Sequence, residues 1–329
     1  MGMPKHPVFY HIFAPVRQFS VILSLIVLVC IGMAFNKAPK IHAADLGKML
    51  FFDPILSRDS SISCGSCHRP EFAFADTVPF SKGVHGHLGK RNAPSVMNMS
   101  DRSSFFWDGR AATLAEQALF PIADTNEMNL PVITAVKRLN QSKKYRNLFY
   151  SIFKQLPNKH NLGLALAAFE KTLETSNTPN DRWIADLPNG MTEQQVRGRD
   201  IFRVKGKCFE CHFSPDFTGD EFRSIGLFNG KQWNDSGRYM ITHNVADISK
   251  FKVLGLRNVA MTAPYMHDGS FKTLREVIDY YNDPQAFIGD GLNRDSVLSK
   301  PLGLTEQEKQ DLEAFLHALT DDRFAGSIR

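Results

Sequence analysis

No acidic residue occurs in the first 43 positions, where Lys5, Arg17, Lys37 and Lys40 stand without a counter-charge. The formal net charge is +5, so setting those four cations aside leaves +1 on residues 44–329. A nearly neutral body lacks the excess of cations that nucleic acid attracts, and no nucleic-acid partner is expected. Charged residues make up 22% of the 329 and hydrophobic residues 43%, which excludes disorder, collagen-like repeats and a polytopic membrane protein. Cysteine is scarce. There are five, and Cys64 with Cys67 and Cys208 with Cys211 fall into two C-x-x-C pairs, leaving only Cys30 in the leader. No pair remains for a structural disulfide. Sustained alternation of apolar and polar residues is also missing, so a sheet-based core is not expected.

Only one long apolar run is present. Residues 19–35 carry no charge and follow Lys5 and Arg17, the pattern of an export signal. The run is long for a signal core and at the lower limit for a membrane span. A cleaved signal, with small-residue sites at Gly32-Met33-Ala34 or Ile41-His42-Ala43, and a retained inner-membrane anchor both fit. Val29 before Cys30 is unlike a lipoprotein signal. Either alternative puts the body outside the cytoplasm, most simply in a bacterial periplasm.

The body reads as mainly α with long connecting loops. Helical periodicity covers 111–120, 131–139, 162–173, 273–281 and 306–319. Thr192 with Gln195 and Thr305 with Glu308 fit capping boxes. The body also repeats itself. Residues 47–76 and 198–220 each contain a glycine, a short amphipathic helix ending in Phe, a cysteine pair followed at once by histidine, then Pro, Phe and Asp. The simplest organisation is a leader, 1–43, and two domains of one design, 44–180 and 181–329, joined through 177–190.

Cys64-Gly65-Ser66-Cys67-His68 and Cys208-Phe209-Glu210-Cys211-His212 are c-type haem attachment signals. Two thiols about one turn apart can bond both vinyl groups on one porphyrin edge, and the adjacent imidazole can then reach the iron. A zinc ribbon would place its two pairs much closer together and gives no reason for either histidine. A redox disulfide lacks the surrounding βαβ pattern. Two covalent haem c groups are therefore expected, on Cys64, Cys67, Cys208 and Cys211, with His68 and His212 as iron ligands.

From about residue 46 to 319 the sequence resembles the bacterial di-haem cytochrome c peroxidases and their MauG-type relatives. The resemblance rests on LGKMLFFDPILS, ISCGSCH, GVHGHLGKRNAPSVMN, FFWDGRAATLAEQA, Glu-Met-Asn at 127–129, LRNVAMTAPYMHDGSFKTL and PLGLTEQEK. It implies two cytochrome c-like domains, each with one covalent haem c. The N-terminal haem would meet peroxide and the C-terminal haem would pass it electrons. It also implies catalytic roles for Glu127 as distal acid–base group, Gln117 and Pro121 beside it, and Trp107 between the haems. His85, with His87 two residues on, matches the histidine that closes the N-terminal iron before reduction. Asn92, Thr262 and Pro264 match the positions that bind one calcium ion, where carbonyl oxygens are suitable hard ligands. Tyr281 stands where the peroxidases carry a methionine ligand and MauG-type enzymes a tyrosine; Tyr280 and Met266 are its neighbours.

Three functions follow from this resemblance. The first is a peroxidase reducing hydrogen peroxide to water with electrons from a small redox protein, a cytochrome c or a copper protein. The second is a MauG-like oxidase acting on a protein or small molecule, which Tyr281 favours and His85 disfavours. The third is an electron-transfer or sensing cytochrome, against which Glu127, Gln117 and Pro121 argue. A homodimer and a membrane anchor are left open.

Overall fold

The computed structural model describes residues 1–2 and 41–327; the apolar run at 19–35 and the leader expectations lie outside the described residues. Seven helices of nine residues or more carry the described fold: α1 (Ala43–Phe52), α2 (Val132–Gln141), α3 (Lys143–Phe153), α4 (Lys159–Glu170), α5 (Glu193–Arg203), α6 (Leu274–Asn282) and α7 (Glu306–His317). Sheet is limited, among the described residues, to two-residue strands, β1 (Phe222–Arg223) antiparallel to β2 (Phe251–Lys252). No described helix is long and apolar enough to cross a membrane. The hydrophobic cores all belong to the unit His42–Arg329.

The sequence repeat becomes a packing repeat. Helix α1 packs on α4, and α5 packs on α7. Gly47 and Gly198 hold the same place in the two repeats, and each allows a close crossing. A Cβ on Gly47 would stand 1.9 Å from the Ala165 carbonyl oxygen, and one on Gly198 would stand 1.8 Å from that of Asp311. Beside the first crossing Phe51 meets Phe169 at 5.2 Å and Phe74 at 6.2 Å, edge to face. Beside the second, Phe202 meets Phe315 at 5.2 Å and Phe217 at 5.9 Å in the same manner. These rings centre two separate hydrophobic clusters.

Local chemistry explains the helix ends. The capping boxes Thr192/Gln195 and Thr305/Glu308 form as the sequence predicts. Asn158 caps α4, which starts three residues before the predicted 162. Helix α3 is not predicted, yet Ser142 caps it and Tyr145 and Phe149, four apart, are buried. The predicted helix 111–120 is instead two turns, Leu114–Gln117 and Phe120–Ala123. The Thr113 hydroxyl accepts from the Glu116 N–H to start the first turn, and Pro121, which lacks an N–H, can only open a new one. The connecting segment is also more ordered than a loop. Thr178 caps Pro179–Ile184, the Asn180 N–H donates to the Ala318 carbonyl at 3.1 Å, and Asp181 receives two bonds from Arg257 at 2.8 and 2.9 Å.

Substituting Gly47→Ala or Gly198→Ala is expected to destabilise the protein by about 3 kcal/mol, the scale of core overpacking. The check is a lower urea midpoint at unchanged slope; a midpoint equal to wild type would mean that the crossing yields without cost.

Candidate active site

Each thiol pair sits on one helical turn. Cys64–Cys67 form a turn closed by the His68 N–H donating to the Cys64 carbonyl at 2.9 Å; the His212 N–H donates to the Cys208 carbonyl at 2.9 Å. His68 Nδ1 lies 3.1 Å from the Phe74 carbonyl oxygen, and His212 Nδ1 lies 2.9 Å from that of Phe217. A carbonyl can only accept, so Nδ1 carries the hydrogen and Nε2 keeps its lone pair. Burial holds both imidazoles below the ordinary histidine range, in the neutral form that ligates metal. All four cysteines are free of disulfides. Burial pushes the Cys67 and Cys211 thiols up to about 11, Cys208 up to about 12, and Cys64 upwards as well. Paired thiols on one turn, followed by a neutral imidazole with a free Nε2, fit covalently attached haem c at both places.

Around the second motif the structure brings together most of the remaining expected residues. Cys208, Cys211, His212, Trp107, Met266 and Tyr281 line one cavity, as do Asn92, Thr262 and Pro264. Tyr280 and Tyr281 part ways there. The Tyr280 hydroxyl donates to the Ile225 carbonyl at 2.6 Å, and its ring packs on Phe271 and Phe287. Tyr281 faces the thiols; burial first, then Tyr280, Cys211 and Cys208, raise its phenol above the ordinary range. The Trp107 indole N–H donates to the Asn92 carbonyl at 2.9 Å, and its ring lies 6.4 Å from that of His267. Asn92 donates its side-chain amide to the Val78 carbonyl at 3.2 Å, which leaves the amide oxygen for a further partner. No cluster of three His, Cys, Asp or Glu side chains suited to a metal ion occurs among the described residues. Calcium at Asn92, Thr262 and Pro264 would therefore rest on neutral oxygens.

The first motif has an acid beside it. Glu127 is half-buried, and burial and then the nearby Asp124 charge push its carboxyl up to about 7, against the opposing pull of Arg110. Its charge in turn raises the Cys64 and Cys67 thiols, so it shares their surroundings. The turn that carries it is tied down at several points. The Asp124 carbonyl accepts from the Glu127 N–H at 3.1 Å and the Asn129 N–H at 2.9 Å, while the Pro121 carbonyl accepts from Met128 at 3.1 Å. Gln117 ends the preceding turn, with its N–H on the Thr113 carbonyl at 2.9 Å.

His85 sits at the tip of a finger beside the turn that carries Glu127. Residues 81–89 form a finger in which Lys82 pairs with Leu88 and the Gly83 N–H donates to the His87 carbonyl at 2.7 Å. The finger docks on the acid's own turn, through the Val84 N–H to the Glu127 carbonyl at 2.8 Å. At its tip the His85 side chain is 60% exposed, with Nδ1 3.9 Å from an Asp59 carboxylate oxygen, and His87 is exposed too. In this arrangement both histidines are surface groups.

The sequence pattern described as "Di-haem cytochrome c peroxidase" matches residues 42–188. The methylamine utilization protein MauG of Methylophilus methylotrophus is 35% identical over 85% of this chain and 82% of its own length. The cytochrome c551 peroxidase of Nitrosomonas europaea is 35% identical over 85% of this chain and 80% of its own. The crystal structure of a MauG-like protein associated with microbial copper homeostasis superposes with a TM-score of 0.78 at 30% identity, over 87% of this chain and 93% of that one. The chain belongs to the di-haem cytochrome c peroxidase and MauG family. Membership makes it an oxidoreductase of the haem cytochrome c type.

Two features of this family member are not anticipated by sequence. Arg91 donates to Asp108 at 2.6 Å and, through two bonds at 2.6 and 2.8 Å, to Asp235, joining chain segments 144 residues apart. Nothing in the sequence pairs these residues. Glu170, at the end of α4, is only 4% exposed, and its Oε2 has no hydrogen-bond partner among the described residues. Burial alone pushes it up to about 8. An acid flanked by Leu166, Phe169 and Leu173 in the buried stripe was the available signal.

Because Glu170 holds its proton more tightly when folded, the protein should be most stable below pH 4.5 with respect to this group. That contribution should fall as pH rises towards about 8. Glu170→Gln in the haem-loaded protein is expected to flatten the decline in urea midpoint between these limits; an unchanged slope would mean that the carboxyl finds a partner.

Proposed function

We propose that this family member reduces hydrogen peroxide to water with electrons from a small periplasmic redox protein, a cytochrome c or a copper protein. The domain 44–180, with Cys64, Cys67 and His68, is the peroxide site. The domain 181–329, with Cys208, Cys211 and His212, receives the electrons. The observation that carries the reading is Glu127: a half-buried carboxyl beside the first motif whose proton affinity is raised to about 7. Haem bound at these motifs would take up the two oxidising equivalents of peroxide cleavage and be returned by electrons arriving one at a time. Glu127 takes a proton from one peroxide oxygen and returns it to the other, which departs as water. Two electrons and two further protons complete the conversion of one peroxide to two waters. A carboxyl near neutrality can do both halves of this transfer, whereas an ordinary exposed glutamate would be too weak a base to take the proton readily. Pro121 braces the Glu127 turn through its carbonyl, and Gln117 ends the turn that precedes it. Trp107, held by its N–H on Asn92, stands on the wall of the second site as the path between the halves. Calcium at Asn92, Thr262 and Pro264 would stiffen that same wall.

Tyr281 supports a second reading, MauG-like oxidation of a protein or small molecule. Its phenol faces the second pair of thiols, and a phenolate ligand favours ferric iron and a low potential. His85, exposed on its finger, does not oppose this reading.

In haem-loaded protein given an artificial donor, Glu127→Gln should lower peroxide turnover about 100-fold. In the wild type the rate should rise with pH through about 7, as the carboxylate that accepts the proton forms, and then level off. The variant should lose that limb; wild-type turnover in the variant would remove Glu127 from the reaction. Tyr281→Phe should raise the reduction potential of the second site and change its ferric absorption spectrum, while Tyr280→Phe leaves both as they are. Identical spectra for all three proteins would exclude Tyr281 as a ligand.

A further inference from the structure

The second thiol–thiol–histidine motif is flanked by apolar side chains that stay exposed among the described residues. Phe209 lies within the motif and Phe213 directly after it; they are 36% and 40% exposed, with rings 6.2 Å apart, edge to face. Val204, just before the motif, is 76% exposed. The strip continues along α5. Arg203 lies over Phe209 at 5.8 Å, and Arg199, one turn back on the same face, lies over Trp183 at 4.9 Å. Trp183 is itself 38% exposed. Three exposed rings and an exposed valine thus run from the connecting helix to the lip of the second haem site.

Its charge is not balanced. Neither Arg199 nor Arg203 makes an ion pair among the described residues, although most arginines nearer the core do. Asp200 lies between them in sequence and acts on Arg199 through its charge, but it forms no ion pair with either among the described residues. Partial burial, and then the charge of Arg203 one turn away, hold Arg199 below the ordinary guanidinium range against the opposing pull of Asp200. Apolar contact surface rimmed by unpaired arginines, at the edge of a redox site, is the design of a protein interface rather than of a solvated face. Arginine and aromatic side chains are also the residue types that most often carry binding energy.

We propose that the surface formed by Trp183, Arg199, Arg203, Val204, Phe209 and Phe213 docks the electron donor, and that this donor is a small redox protein whose contact face is apolar and rimmed by carboxylates. The inference rests on the peroxidase reading and names its partner. One electron leaves the reduced donor at each docking, so two dockings, with two protons, reduce one peroxide to two waters and leave two oxidised donor molecules. Attraction between the arginines and the donor's carboxylates speeds encounter, and the rings set the contact once water has left.

The test uses the haem-loaded protein and two purified donors, a reduced acidic bacterial cytochrome c and a reduced basic mitochondrial cytochrome c, with a small artificial donor alongside. The acidic cytochrome should be the better donor, with a KM that rises with salt. In the Arg199→Glu/Arg203→Glu protein that KM should rise about ten-fold or more and lose its salt dependence. Turnover with the small donor should remain within two-fold. Phe213→Ser should raise the same KM without altering the salt dependence. An unchanged KM in the double variant, or preference for the basic cytochrome, would overturn the proposal while small-donor turnover kept the peroxidase reading intact. Absence of turnover with every donor would overturn the peroxidase reading instead. Sedimentation is a further arm: a dimer in wild type that dissociates in the double variant would assign the surface to a second copy of the chain and also overturn the proposal.

Discussion

One hydrogen bond, made twice, organises the molecule. The Nδ1 hydrogen of each motif histidine goes to a backbone carbonyl six residues on in the first half and five on in the second. That bond fixes the ring, leaves Nε2 as a lone-pair donor, and obliges the chain to turn back at once. The turn carries Phe74 and Phe217 to the helix crossings, where they meet the Phe51–Phe169 and Phe202–Phe315 pairs. Those crossings are close only because Gly47 and Gly198 present no side chain to the opposing carbonyl. Orientation of the motif imidazole and packing of the core are thus one constraint, satisfied by the same few residues.

The second site is not the property of one half. Asn92 and Trp107 come from the first half of the chain but line the cavity that holds Cys208, Cys211 and His212. The Asn92 N–H donates to the His267 carbonyl and its own carbonyl accepts from Trp107, so one peptide segment sets both walls. Arg91, pinned between Asp108 and Asp235, fixes the same seam with charge. Removing a partner from such a semi-buried cluster costs more than the cluster contributes, because a charge is left without compensation. The seam is therefore a point of specificity more than of net stability.

Glu127 and Glu170 show how environment separates two carboxyls of one helical half. Both are raised by burial. Glu127 has Asp124 and Arg110 as opposing neighbours and remains partly open, which leaves its proton exchangeable. Glu170 has neither a charged neighbour among its influences nor a bonding partner for Oε2, which keeps its proton in place. Of the two, Glu127 is the one placed to exchange its proton.

The amino-acid sequence by itself determined the mainly helical class, the two thiol–thiol–histidine motifs, the internal repeat and the capped starts of α5 and α7. Each of these depends on residues within a few positions of one another, where spacing alone fixes geometry. The family resemblance pointed to Glu127, Gln117, Pro121 and Trp107 as site residues. Local reading failed where distant chain decides. Pro121 and the Thr113 cap split the predicted helix 111–120, because a missing N–H outweighs apolar periodicity. Tertiary structure alone chose Tyr281 over Tyr280, since adjacent helical residues point about 100° apart and only the fold says which direction holds the cavity. It alone put His85 on an exposed finger and joined Arg91 to Asp235, because those contacts exist only once segments far apart in sequence have been packed side by side.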